Sequence, residues 1–356
     1  LASEPFDFAP GTTLFFGENG AGKTNILEAA ATLAGRPSFR QAEPADMANG
    51  GAFCLFGSVS GDSGREQIGV EWSAGRPKRF ERAGKKASVA DIAQSVPAIF
   101  LAPEDRALFT GSPQIRRRFL DRLAITLYPA ALEECLDYQR ALAHRNAILS
   151  DGAPDSASLE TWNEEFFRKA SVLAVRRRQV FSAWKDAFSR RVRGAGTLSG
   201  LDAFYSGEEG TQAEIREQFV RKAAELAGRE KLRGHTLFGP HRSDIEFRRG
   251  ERQFGTTSST GEMMRAAFLV RLAEGEAVAR QRGVLPLYAL DDFDAELSPG
   301  ASEQLLSQIP ESAQVFLTSA HPESVSGCPR KPEAVFEIIA GRAFALHERA
   351  QLRKIG

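Results

Sequence analysis

Short apolar runs broken by turn residues fill both ends of this chain, and helical periodicities fill its middle. Thr12 to Phe16, β-branched and aromatic, predicts a buried strand, and from Thr24 the pattern turns helical. After a polar connection from Gly35 to Gly50, the runs Ala52–Val59, Gln67–Trp72 and Arg79–Arg82 are separated by Gly61–Gly64 and Gly75–Pro77. That spacing predicts antiparallel strands. A further run, Ala98 to Ala102, ends at Pro103-Glu104-Asp105.

The pattern changes at Ser112-Pro113, an N-cap followed by proline at the first helical position. Ile115, Phe119 and Leu123 follow at helical spacing, and the segment continues to about Leu149 with a bend expected at Pro129. A polar linker, Ser150 to Ser158, precedes a second helical segment, Leu159 to Arg193. A third starts at Thr211, with Glu214 completing a capping box, and runs to about Lys231. At 1.5 Å per residue the two longer segments reach roughly 45–50 Å, a stubby lobe and not a long coiled-coil arm.

Strand character returns at His235–Phe238 and at Asp244–Arg248, which pairs with Arg252–Thr256 across Gly250. Residues 262–282 predict a helix, Leu285–Leu290 a buried strand, Ser302–Gln308 a helix and Gln314–Ser319 another buried strand. Ala334–Ile339 and Arg342–His347 form a hairpin around Gly341. Strands alternating with helices predict an α/β fold, a doubly wound sheet around the 17–24 loop. Residues 1–112 and 232–356 would make one lobe, with the helical block 113–231 inserted in it.

Composition adds boundaries. In 356 residues, 46 basic side chains balance 46 acidic ones, so no overall field advertises a nucleic-acid partner, although local patches matter more than totals. Cys54, Cys135 and Cys328 fit neither a disulfide framework nor metal-ligand spacing and suit a reducing cytosol. No segment approaches the roughly 20 apolar residues of a membrane span. The chain opens without Met and without a signal-peptide pattern, and a cytoplasmic location is expected.

The sharpest chemistry lies between the first strand and the first helix. Gly17, four residues that include Asn19 and Gly20, then Gly22, Lys23 and Thr24 have the spacing of a phosphate-binding loop, and Asn25 continues into the helix. Glycines let successive N–H groups curl toward an anion, Lys23 adds a point charge, and the Thr24 hydroxyl can ligate Mg²⁺. The run Val284–Leu290 ends in Asp291-Asp292. One carboxylate suits hydrated Mg²⁺ and the second an attacking water. Ser258-Ser259-Thr260-Gly261-Glu262 opens a helix and offers a second anion site, although alone it is an ordinary N-cap with its capping partner. Two sites for one γ-phosphate suggest a head-to-tail dimer, each chain's Ser259 helix closing on ATP held by its partner. His321, after the strand 314–319, is a candidate γ-phosphate sensor.

These features, in this order, resemble the nucleotide-binding heads of ABC ATPases. Three stretches narrow the resemblance to the RecF recombination-repair family: Pro103–Asp105 through Gly111–Asp121, Phe238–Asp244, and Leu290–Asp292 through Ala295–Leu297. It implies an ABC-type head with a mixed sheet, an antiparallel β subdomain and an inserted helical lobe. It further implies ATP and Mg²⁺ as cofactors, phosphate and metal held by Lys23, Thr24 and Asp291, and Asp292 as general base. Ser259, Gly261 and Glu262 would act across the dimer, and Glu296 and Leu297 would help join subunits. Ser298 departs from the family's aspartate, Phe109 from an aliphatic residue, and Thr260 from the glycine common in ABC proteins. No clear glutamine serves the Mg²⁺-sensing loop; Glu104 is nearest.

The resemblance implies binding to duplex or gapped DNA or to single-strand/double-strand junctions. It also implies RecR- and RecO-type mediators, SSB-coated DNA and a RecA-type recombinase as partners, with no membrane role. In Thr161–Arg193 basic residues outnumber acidic ones nine to three, and Arg176, Arg177, Arg178, Arg190 and Arg191 are candidate DNA contacts. Arg116 to Arg118 are candidates to brace the lobes. The expected activity is slow, DNA-stimulated ATP hydrolysis. A non-hydrolysing ATP-dependent scaffold and a transporter motor subunit are the alternatives.

Overall fold

The computed structural model describes residues 8–345 except 41, 49, 62–63, 152–155, 296 and 321–329; for residues 156, 157 and 299 it describes the backbone alone. The chain divides into two compact units, residues 1–106 with 258–356, and residues 107–257. Residues 232–257, expected in the first lobe, therefore belong to the second.

In chain order the first unit contributes β1 (Thr12–Phe16), β2 (Ala52–Gly61), β3 (Gly64–Ser73), β4 (Arg79–Arg82), β5 (Lys85–Ala87) and β6 (Ala98–Leu101). The second contributes β7 (Leu201–Tyr205), β8 (Ile245–Arg249) and β9 (Arg252–Gln253). The chain returns to the first unit with β10 (Leu287–Leu290), β11 (Val315–Ser319), β12 (Ala334–Ile339) and β13 (Arg342–Ala345).

The first unit is built on a mixed six-stranded sheet, ordered β13-β12-β1-β11-β10-β6, in which only the β12–β13 pairing is antiparallel. Buried apolar runs make its strands, as parallel sheets covered on both faces require; the inner strand β11 and even the edge strand β6 are buried at every position. Strand register brings distant loops together. Phe15 pairs with Thr318 and Leu290 with Leu317, so the loop after β1 and the residues after β10 emerge on either side of the end of β11. That is where open α/β sheets place ligands. A separate antiparallel sheet, β2-β3-β4-β5, is the expected β subdomain.

The second unit is mostly helical. The expected bend at Pro129 is a break, with one helix at Pro113–Leu127 and the next at Ala131–Ser150. The helix Ser156–Arg193 has 38 residues and is about 57 Å long, well short of a coiled-coil arm. Gln212–Arg233 comes next, with the Thr211–Glu214 capping box in place. Phe166, Phe219, Phe238 and Tyr138 fill one core. His235–Phe238 is not a strand: the Thr236 and Leu237 N–H groups bond Asn146 and Glu230 side chains, and Phe238 is buried among aromatic rings. Beyond Gln253 the expected strand gives way to a short helix, Phe254–Thr257. The sequence pattern did not reveal β7, which pairs with β8 and carries residues 245–249 into this unit.

Candidate functional site

β1 delivers the chain into a tight loop. A Cβ on Gly17 would stand 2.4 Å from the Ile338 carbonyl oxygen, and Gly22 holds φ 106°, so glycine is required at both positions. The helix Lys23–Leu33 starts at once, its free N–H groups facing the loop. Lys23 is buried, and its ammonium donates to the carbonyls of Gly17 (2.8 Å) and Glu18 (3.1 Å), which holds the charge within the curve of the loop. Asn19, Gly20 and Asn25 lie on the exposed rim.

The Thr24 hydroxyl donates to the Asp291 carboxylate, 2.9 and 3.0 Å from its two oxygens, across 267 residues of sequence. Thr318, fully buried on β11, donates to Asp291 Oδ1 at 2.7 Å and accepts the Asp292 backbone N–H at 2.8 Å. One hydroxyl thus fixes both aspartates. Asp292 has φ 43°, a left-handed conformation that Asp tolerates better than most residues, and one found at functional turns. Burial pushes the Asp291 carboxyl up to about 6, assisted by the charges of Asp292 and Glu104 and opposed by the two hydroxyls. Hard oxygen donors beside several negative charges fit Mg²⁺: Thr24 and Asp291 would ligate it, with the Asp292 charge close enough to act on Asp291.

Ser259 is exposed and caps the helix Thr260–Arg282. Its hydroxyl accepts the Glu262 N–H (3.3 Å), and Glu262 accepts the Ser259 N–H (3.0 Å). Within one chain the Ser259–Gly261–Glu262 stretch is therefore a capping box. Leu297 is half-buried; Glu296 and His321 lie outside the described residues.

A buried ionic cluster in the first unit was not foreseen from the sequence. Arg271 pairs with Asp105 (2.5 Å) and Glu274 (2.6 Å), and Glu274 lies 3.6 Å from Arg36, which donates to the Ala98 carbonyl (2.7 Å). It ties the end of the loop helix to the Ser259 helix and to the Pro103–Asp105 segment.

In the second unit Arg176–Arg178, the candidate DNA contacts, each hold partners inside the unit. Arg176 pairs with Glu134 (2.7 Å) and lies over Tyr128. Arg177, 5 % exposed, grips Asp121 (2.7 and 2.9 Å) and the Pro240 carbonyl (2.6 Å). Arg178 holds the Gly207 and Glu208 carbonyls. Arg190 is exposed and Arg191 half-buried at the end of the same helix.

Arg116 clamps Asp244 with two bonds (2.7 and 2.8 Å), and Arg117 donates to the Ser243 carbonyl (2.9 Å). The bracing is real, but it runs inside the second unit and joins the Gly111–Asp121 and Phe238–Asp244 stretches. His241 completes this joint. Nε2–H donates to the Thr236 carbonyl (3.1 Å), so Nδ1 accepts from Tyr138 (2.7 Å), and burial drives the imidazole down to about 4. Phe109, the departure from an aliphatic residue, packs edge-on against Phe247 and Phe254 at 4.8 and 5.1 Å.

A phosphate loop and paired aspartates at the ends of the two strands flanking β11 in a mixed sheet define an ATPase-head architecture. A family model described as "AAA domain" matches residues 2–42. The DNA replication and repair protein RecF of Mesorhizobium japonicum is 31% identical over 96% of this chain and 91% of its own length. That of a Geobacter species is 32% identical over 94% of each. A solved structure of the recombination mediator protein RecF with ATP superposes with a TM-score of 0.86 at 23% identity, covering 96% of this chain and 93% of that one. An Smc head bound to the C-winged helix domain of ScpA gives 0.50 at 15% identity, covering 97% and 93%. The chain belongs to the RecF family.

Among the described residues, no helix is long and apolar enough to cross a membrane.

Proposed function

We propose that this protein is an ATP-dependent DNA-binding switch of recombinational repair. ATP drives two chains into a head-to-tail dimer that clamps DNA at gaps or single-strand/double-strand junctions, and slow hydrolysis resets it. The observation that carries the reading is the convergence of Lys23, Thr24, Asp291 and Asp292 around the end of β11. The exposed Ser259 helix start of the same unit is left to face a second chain. The names of the relatives, a DNA replication and repair protein and a recombination mediator with ATP, support the substrate and the process.

In this account the loop N–H groups and Lys23 hold the β- and γ-phosphates. Thr24 and Asp291 would hold Mg²⁺, which would supply positive charge to offset that of the phosphates. Asp292 orients and deprotonates the attacking water, and Thr318 holds both carboxylates in register. The partner chain's Ser259 helix caps the γ-phosphate, which makes the site complete only in the dimer. Glu296 with Leu297 at the subunit contact, and His321 as sensor, complete the set. RecR- and RecO-type mediators, SSB-coated DNA and a RecA-type recombinase are the proposed partners, in the cytoplasm.

Single- and multiple-turnover ATP hydrolysis, measured with and without gapped duplex, tests the switch. Slow multiple turnover that DNA accelerates and Asp292→Asn abolishes is expected. Nucleotide binding with no turnover under either condition would leave a scaffold and overturn the switch.

A further inference from the structure

The stretch Arg229-Glu230-Lys231-Leu232-Arg233, at the end of the helix Gln212–Arg233, looks charge-mixed in sequence. The fold separates the charges. Glu230 is 1 % exposed, and its carboxylate accepts two bonds from Arg145 (3.1 and 2.6 Å) and one from the Leu237 N–H (2.8 Å). Arg145 also reaches Asn163 and Thr236 and lies over Phe166 and Phe238. A carboxylate paired this way inside the lobe is already neutralised and does little to offset cations outside it.

Arg229, Lys231 and Arg233 are exposed, and their side chains have no partner among the described residues. Leu232, 88 % exposed, stands among them. Asp151, exposed at the end of the neighbouring helix Ala131–Ser150, pairs with none of the three. The helix dipole favours cations in a last turn, but it gains nothing from Arg229, which sits a full turn further in.

Phosphate contact releases counterions only where a cation is exposed and not already neutralised. Arg176–Arg178 fail that condition because each pairs with a carboxylate: Glu134, Asp121 and Glu209 respectively. The helix end meets it.

We propose that the C-terminal end of the Gln212–Arg233 helix is a contact surface for the DNA phosphate backbone, through Arg229, Lys231 and Arg233. The inference rests on the DNA-binding reading above and adds the surface that reading lacked.

The test is the salt dependence of binding to a gapped duplex with ATP and Mg²⁺, for the wild type and for the triple variant Arg229→Gln, Lys231→Gln, Arg233→Gln. Each phosphate contact contributes about 0.9 to the logarithmic salt slope, so the triple variant should lose about 2 to 3. Its affinity at low salt should fall roughly ten- to hundredfold. Melting temperature and nucleotide affinity should hold, because the three side chains touch neither the core nor the loop. The double variant Arg229→Lys, Arg233→Lys should keep both slope and affinity, since backbone contact reads charge and not base edges. A triple variant that binds like the wild type would overturn the assignment and hand the patch to an acidic protein surface or to solvent. A wild type that binds no DNA at any salt would sink the DNA reading itself, and this surface with it.

Discussion

The hydroxyl of Thr318 donates to Asp291 Oδ1 at 2.7 Å while accepting the backbone N–H of Asp292 at 2.8 Å, so one buried side chain sets the positions of both aspartates. Thr318→Val keeps the shape and removes both bonds. Turnover should fall about ten- to hundredfold, the scale of an ångström-sized misplacement of a catalytic group. Nucleotide affinity, carried by the loop, should change little, and Thr318→Ser should restore the rate. A valine variant with wild-type kcat would show that the aspartates are held by other means.

Asp291 makes stability depend on pH. An acid whose pKa rises on folding, here from 3.8 to about 6, costs stability once the unfolded chain ionises, and the cost is complete above the folded pKa. Without Mg²⁺, Asp291→Asn should therefore be more stable than the wild type by on the order of 2–3 kcal/mol at pH 8. The gap should open between about pH 4 and 6 and stay level beyond. Melting curves across that range check it, and a gap that ignores pH contradicts the assignment.

Arg177 predicts a structural phenotype where the sequence suggested a DNA phenotype. Arg177→Ala strands Asp121 without its partner, and losing one member of such a pair costs about 3–5 kcal/mol. Chemical denaturation should register that loss. A change within about 0.5 kcal/mol, usual for surface substitutions, would contradict the internal role.

Asp292 carries a shorter side chain than glutamate. If reach limits the rate, Asp292→Glu should raise turnover by tens of fold, the order set by an ångström of placement. The left-handed backbone at φ 43° sets a cost of about 1 kcal/mol against the longer residue. Steady-state hydrolysis decides it, and an unchanged rate means that side-chain reach is not limiting.

What the sequence made legible was local. Gly17 to Thr24 is a contiguous spacing whose chemistry needs no distant residue, and Asp291-Asp292 closes an apolar run. Thr318 was not legible, because its role exists only when β11 lies between β1 and β10, an ordering no local pattern encodes. Arg176 and Arg177 read as a surface cluster because their partners Glu134 and Asp121 lie 42 and 56 residues earlier. His235–Phe238 imitates a strand since apolar runs alone do not distinguish a strand from a buried coil. The short run Leu201–Tyr205, ending in two aromatic residues and bounded by Gly200 and Ser206-Gly207, was a usable signal for β7.

The central claim is that one chain's Ser259 helix completes the site holding the other chain's triphosphate, and sedimentation tests it most directly. With a non-hydrolysable ATP analogue, Mg²⁺ and gapped duplex, the wild type should sediment as a dimer. Ser259→Arg, which places a bulky cation on the capping surface, should remain a monomer while binding nucleotide normally. A wild type that stays monomeric under saturation, or a Ser259→Arg variant that dimerises as the wild type does, would contradict the account.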